Sequence, residues 1–267
     1  MELTALKLAE AALVGGAAGV LGGMAGIGGS LIMLPGLGFF LGYDEPARSV
    51  QHLYMASAMV VNVLVSAPAT WQHNKKGAVR AELVKYVLPA MAATMVLGVL
   101  LSDRVQGRVL IYLLATFIAG YCALNLYRAF KKRPEPASDG ARPSPVKLAL
   151  IGAGTGLIGG LLGIGGGIVM VPLLQVVCRV PLRMAIGTSA AVMTITAIIG
   201  SITKLSSLHT HGHTVSEALM LVAVMGPPAV LGGMLGAKLM HRLPLDTVRV
   251  VISILLLLAA ARLAGLY

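Results

Sequence analysis

One glycine-rich stretch occurs twice in this chain, and the duplication limits the fold more than any other feature. Gly26-Ile27-Gly28-Gly29-Ser30-Leu31-Ile32-Met33-Leu34-Pro35 returns 137 residues later as Gly163-Ile164-Gly165-Gly166-Gly167-Ile168-Val169-Met170-Val171-Pro172. The register extends in both directions. Gly15, Gly19 and Gly23 match Gly152, Gly156 and Gly160 at the same offset, and Pro89, Gly98 and Arg104 match Pro227, Gly236 and Arg242 at an offset of 138. Two repeats follow, residues 1–127 and 148–267. Between them Arg128 to Lys147 holds four prolines and a run of charges, and reads as a solvated linker.

Each repeat contains the same five apolar segments, near 5–25, 29–42, 49–70, 84–101 and 109–127, then 146–162, 166–177, 184–206, 218–240 and 247–266. Only 12% of the residues are charged and 57% are apolar, against about 25% charge in a soluble domain. The chain therefore belongs in a bilayer. The last three segments of each repeat are long enough to cross, whereas the second covers only roughly 20 Å of a hydrocarbon core of about 30 Å. The fold class read from this pattern is all-α, a polytopic membrane protein. Each repeat has a broken or re-entrant Gly-rich helix pair plus three transmembrane helices. An odd number of crossings per repeat makes the repeats inverted in topology. With the linker in the cytoplasm, 15 of the 21 Lys and Arg lie inside, which agrees with the positive-inside rule and sets both termini outside a multi-pass plasma-membrane protein.

A helix that starts inside the membrane presents unpartnered N–H groups and the positive end of its dipole, a combination suited to an anion. Matched, Gly-interrupted short segments in two inverted repeats point to a secondary transporter with its site near the midplane. The substrate-binding candidates are accordingly Gly28, Gly29, Ser30, Gly165, Gly166 and Gly167, joined by Ser49, Gln51, His52, Thr188 and Ser189 at the matched starts of the third segments. Arg48, Asn62 and Lys204 are candidates for gating or for attracting the anion. All ten carboxylates lie in loops, in the linker or near segment ends. Cation and proton carriers usually hold Asp or Glu inside the membrane, so an anion is the favoured substrate. The glycines spaced four apart read instead as helix-packing faces.

Other chemistries find little support. No G-K-[S/T] follows either glycine cluster, and no strand-turn-helix context surrounds them, so nucleotide binding is not expected. The net charge of +11 is spread between apolar runs without a basic, aromatic-studded face, which argues against nucleic acid. Cys122 and Cys178 have no metal or disulfide spacing. His209-Thr210-His211-Gly212-His213 has no carboxylate or thiol close in sequence, and no metal site is read from it. No enzymatic motif and no cofactor is read from the chain.

The paired G-x-G-G-[G/S] motifs, each with its following Pro35 or Pro172, and the A-x-G-T-S element at Ala185 to Ser189 resemble the sulfite exporter TauE/SafE family. The resemblance covers nearly the whole chain outside the linker. It implies a plasma-membrane carrier of small sulfur oxyanions or sulfonates such as sulfite, thiosulfate or sulfoacetate. It further implies coupling to a proton or sodium gradient. Ala47-Arg48-Ser49-Val50-Gln51 departs from A-x-G-T-S in the first repeat, so the two half-sites differ. Membrane lipid and a second copy of the chain are the remaining partners considered. A passive anion channel and a non-transporting subunit that scaffolds a partner enzyme are the competing readings.

Overall fold

A computed structural model describes residues 5–26, 28–43, 48–130 and 144–240, with isolated positions beyond. Among the described residues the regular structure is helical, without strands. The helices are α1 (Ala5–Ala25), α2 (Ser30–Phe40), α3 (Val50–Lys75), α4 (Ala81–Ser102), α5 (Gly107–Phe130), α6 (Pro145–Leu162), α7 (Gly167–Val176), α8 (Leu182–Ser207) and α9 (Val215–Met240), with a short 3-10 turn at Leu208–His211. Seven of them are long and apolar enough to cross a membrane. The short pair, α2 and α7, has 11 and 10 residues, roughly 15 Å of helix each. The tenth apolar segment and most of the linker lie outside the described residues. Around the linker α5 continues to Phe130 and α6 begins at Pro145, so helix takes up both edges of the expected 128–147 linker. Pro145 suits that start because the first helical position needs no N–H.

In lipid no hydrophobic gain draws apolar helices together, so close backbone approach decides the packing. The four-spaced glycines provide it, and the contacts run between repeats. A Cβ on Gly15 would stand 2.5 Å from the Met225 carbonyl oxygen, and Gly19 and Gly23 meet Ala229 and Gly233 in the same way. Gly152 lies against Val87, Gly156 against Met91 and Gly160 against Met95. Thus α1 packs on α9 and α6 on α4, each pair advancing in parallel.

The same registers give every helix a direction. α3 and α8 cross antiparallel at the centre, with His52 beside Lys204 and Thr70 beside Thr194. α3 runs with α9, since Ser57 meets Ala218 while Val65 meets Gly233. α4 runs with α8, as Arg80 meets Thr188 and Ser102 meets Lys204. One set, α1, α3 and α9, therefore opposes the other, α4, α6 and α8. We call the side where α1 starts the α1 side and the opposite one the α6 side. α5 begins at the α1 side, with Gly107 against Arg48 and Gln51. Each of α1, α3 and α4 runs opposite to its counterpart α6, α8 and α9. The central pair is the most enclosed, with 67% of the apolar stretch of α3 and of α8 buried against 33% for α4.

Candidate functional site

The two short helices start inside the bundle and diverge. α2 returns to the α1 side, where Tyr54 Oη donates to the Gly42 carbonyl at 2.8 Å. α7 runs to the α6 side, and the loop after it leads into α8. Their N-termini meet around two residues halfway along the central helices, Asn62 of α3 and Met193 of α8.

Asn62 holds the start of α2. Its Oδ1 accepts the Gly29 N–H at 2.8 Å and the Ser30 N–H at 3.0 Å, and its Nδ2 donates to Ser30 Oγ. Two backbone donors on one side identify that atom as the oxygen, and the nitrogen, with one N–H taken by Ser30 Oγ, keeps a second N–H. A Cβ on Gly165 would lie 3.0 Å from Asn62 Nδ2 and 3.4 Å from the Met193 methyl. A Cβ on Gly28 would lie 2.7 Å from Asn62 Oδ1 and collide with the same methyl. Both glycines also have left-handed backbone, with φ of 73° and 74°. Shape and conformation both demand glycine at these two positions.

A serine links the two hinges. Ser189 Oγ lies 2.9 Å from the Gly26 carbonyl and 3.3 Å from that of Gly167, and its single O–H is shared between the two acceptors. Ser30 Oγ donates to the Ala58 carbonyl at 3.3 Å. The resulting chemistry is one-sided. Asn62 gives its acceptor and one N–H to α2, and its nitrogen lies beside Gly165, near the donor end of α7. Donors facing donors call for an acceptor between them, and an anion supplies one. The described carboxylates, Glu10, Glu82, Asp103 and Glu217, all lie at or within two turns of helix ends. A largely apolar cleft of about 430 Å³ lies between α5 and α7, lined by Phe117, Leu124, Ile168 and Pro172.

Of the sequence-derived candidates, Gly28, Gly29, Ser30, Gly165, Gly167, Asn62 and Ser189 thus come together at the centre. Gly166 adjoins them but packs against Met91 and Thr155. The others lie elsewhere. Thr188 Oγ1 accepts the Arg80 N–H at 3.1 Å, toward the α6 side. Gln51 Oε1 accepts from Tyr43 Oη at 3.1 Å, and the Arg48 guanidinium stacks 5.1 Å over the Tyr43 ring. Ser49 precedes α3 at the α1 side.

Lys204 and His52 belong to a second cluster, which sequence reasoning did not find. The fully buried Lys204 Nζ is 2.5 Å from Asp103 Oδ1, 2.8 Å from His52 Nδ1 and 2.9 Å from Ser102 Oγ. His211 Nε2 lies 3.2 Å from the same Asp103 oxygen, and its ring stacks on His52 with centroids 3.6 Å apart. Burial disfavours the Asp103 carboxylate, yet the hydrogen bonds from Lys204, Ser207 and His211 and the Lys204 charge together outweigh it and hold the group below its ordinary value. Lys204 was expected to attract anions, but its charge is compensated in place. The available signal was a lysine among apolar residues, which requires a carboxylate partner.

Comparison with known proteins identifies a family. The profile of the sulfite exporter TauE/SafE family matches residues 11–263. The chain belongs to that family. It is 28% identical to the probable membrane transporter protein MamO of Magnetospirillum gryphiswaldense, over 87% of this chain and 41% of that protein. MamO of Paramagnetospirillum magneticum is 29% identical over 87% of this chain and 40% of its own length. The chain therefore spans about two fifths of those relatives. A probable membrane transporter protein of Methanocaldococcus jannaschii is 26% identical over 91% of this chain and 90% of its own. No solved structure matches the chain.

Proposed function

We propose that this protein is a secondary transporter of small sulfur-containing anions, sulfite, thiosulfate or organosulfonates, bound between the starts of α2 and α7. The observation that carries the reading is the meeting of two half-helix N-termini around Asn62, whose amide nitrogen lies beside Gly165 with one N–H left over from its bond to Ser30. Family membership and the names of the relatives support transport, and the sulfur chemistry rests on the family description. The opposed directions of matched helices support inverted repeats, and hence alternating access by movement of one repeat against the other. The α6 side, from which α6 leaves the linker, is cytoplasmic in this account, and the α1 side external. Gly28, Gly29, Ser30, Asn62, Gly165, Gly167 and Ser189 form the substrate site.

The test is flux from proteoliposomes loaded with sulfite or thiosulfate. The proposal expects saturable flux of at least one of these anions, lost in Gly28→Val and Gly165→Val proteins that still purify as folded species. A passive channel would show no accumulation against a gradient. A purified protein that moves neither these anions nor sulfoacetate would refute the reading.

A further inference from the structure

The polar cluster at the α1 side closes the bundle there. Through one ammonium group, Lys204 of α8 is joined to His52 of α3 and to Ser102 and Asp103 at the end of α4. His211, in the turn after α8, returns to Asp103 and covers His52. Four segments from both repeats are thereby latched at one end, above the donor site. A polar cluster this well enclosed in an apolar bundle needs an explanation beyond packing, since hydrophobic residues would pack there without the desolvation cost.

The arrangement has no room for another positive charge. His52 Nδ1 accepts from Lys204, so that nitrogen carries no proton, and the other ring nitrogen bonds the Val105 backbone. The His211 ring lies parallel to it, within 6°. Ammonium and carboxylate balance each other, so the cluster has no net charge while neither ring carries a second proton. A proton on either ring would stand beside the Lys204 ammonium with only Asp103 to compensate both.

A metal ion fits less well. The His52, Asp103 and His211 donors lie within 4.8 Å of one another, but a ring nitrogen's lone pair lies in its ring plane. Two near-parallel rings with centroids 3.6 Å apart cannot both aim an in-plane lone pair at one ion about 2.0 to 2.1 Å from each nitrogen, and His52 Nδ1 and Asp103 Oδ1 already bond Lys204.

We infer that the stacked His52–His211 pair is the binding site for a coupling proton, and that its protonation releases Lys204 and opens the α1 side. The proton comes from water on that side and bonds to a ring nitrogen. The Lys204 to His52 hydrogen bond breaks, and no other covalent change occurs. The cluster then carries one net positive charge, which draws an anion toward the donors at Asn62. Because the latch excludes the proton, the proton equally disfavours the latch. The titratable groups facing the pair are Lys204, Asp103 and, beside His211, His213 with its partner Glu217. Asp103, held below its ordinary value, stays ionised at mildly acidic pH, which leaves the response to the histidines. The opening stands on the cluster alone, whereas the coupling also rests on the transport reading above.

Two measurements test it. Spin labels at Gln106→Cys and Ser206→Cys, in a chain with Cys122 and Cys178 replaced by Ala, report the distance across the latch. Acidification from pH 8 to pH 5 should lengthen that distance, and His52→Gln/His211→Gln should remove the response. An unchanged distance, or a response that survives in the double variant, would overturn the opening. In proteoliposomes of the unaltered protein, an inward acid gradient should drive thiosulfate accumulation at least tenfold above equilibration, with proton entry seen by a trapped pH dye. Thiosulfate flux indifferent to the gradient would overturn the coupling. Absence of flux for every sulfur anion would instead refute the transport reading, and the label distances would still decide the latch.

Discussion

Asn62→Asp separates the structural part of Asn62 from its electrostatic part. The substitution keeps an oxygen where the Gly29 and Ser30 N–H groups now bond Asn62 Oδ1. A carboxylate at a helix start is at least as good a cap as an amide. Folding should survive. Two things change at the other hinge: the amide N–H beside Gly165 disappears, and a negative charge replaces it. For an anion resting about 5 Å from that charge at an effective dielectric constant of about 20, the repulsion is about 3 kcal/mol. That weakens binding of a monovalent anion roughly two-hundredfold, and a divalent anion more. The assay is calorimetric binding of thiosulfate or sulfite to purified protein at pH 8, paired with thermal unfolding without ligand. The reasoning expects a melting temperature within a few degrees of wild type and a lost binding signal. Unchanged affinity in a folded Asn62→Asp protein would remove Asn62 from the substrate site. Loss of folding would instead show that its hydrogen bond to Ser30 is structural.

Gly28→Ala should lower stability by about 1 to 2 kcal/mol for its left-handed backbone, with more from the collision with Met193, measured as a fall in melting temperature. Gly19→Leu should break the α1 to α9 contact, because even a Cβ there would come within 2.8 Å of the Ala229 Cα. The expected cost is at least the roughly 1 to 3 kcal/mol of overpacking, visible as lower folded yield in detergent. Asp103→Asn should destabilise by about 3 to 5 kcal/mol by leaving Lys204 buried and unpaired, and adding Lys204→Met should recover much of the loss. In acid the sign follows from the lowered Asp103 value. The stability of its ion pair should be complete above roughly pH 4, the ordinary aspartate range, and vanish only as pH falls through the lower folded value. Opening of the cluster by its histidines between pH 8 and pH 5 is a separate event, and protonation of the Asp103 carboxyl itself in that interval, followed by its infrared band, would contradict that assignment.

Much of this architecture was legible from periodicity and punctuation. The nine described helices fall on the first nine apolar segments, and the short α2 and α7 follow the glycine clusters that mark where a helix must start afresh. The spacing of Gly15, Gly19 and Gly23 announced a packing face. It did not name the partner, which comes from the other repeat, because a small-residue face is complementary to any other of the same pitch. Half of the site was readable for the same reason: backbone requirements leave glycines in the sequence. Asn62 stood out as a mid-span amide, but its double acceptance from Gly29 and Ser30 depends on how α3 lies against α2. The partners of the third-segment polar residues were not readable, since Thr188 and Gln51 bond to Arg80 and Tyr43, which the helix packing brings to them. The Lys204 cluster was least visible. Its members come from positions 52, 102, 103, 204 and 211, and only the antiparallel crossing of α3 and α8 brings them together.

The central claim is that an anion sits where the two half-helices begin, and a density map of the protein with a bound sulfur oxyanion tests it most directly. The account predicts the ligand within hydrogen-bonding distance of Asn62 Nδ2 and the first N–H groups of α7. Ligand found instead in the apolar cleft between α5 and α7 or at Lys204, or a cation at the centre, would contradict it.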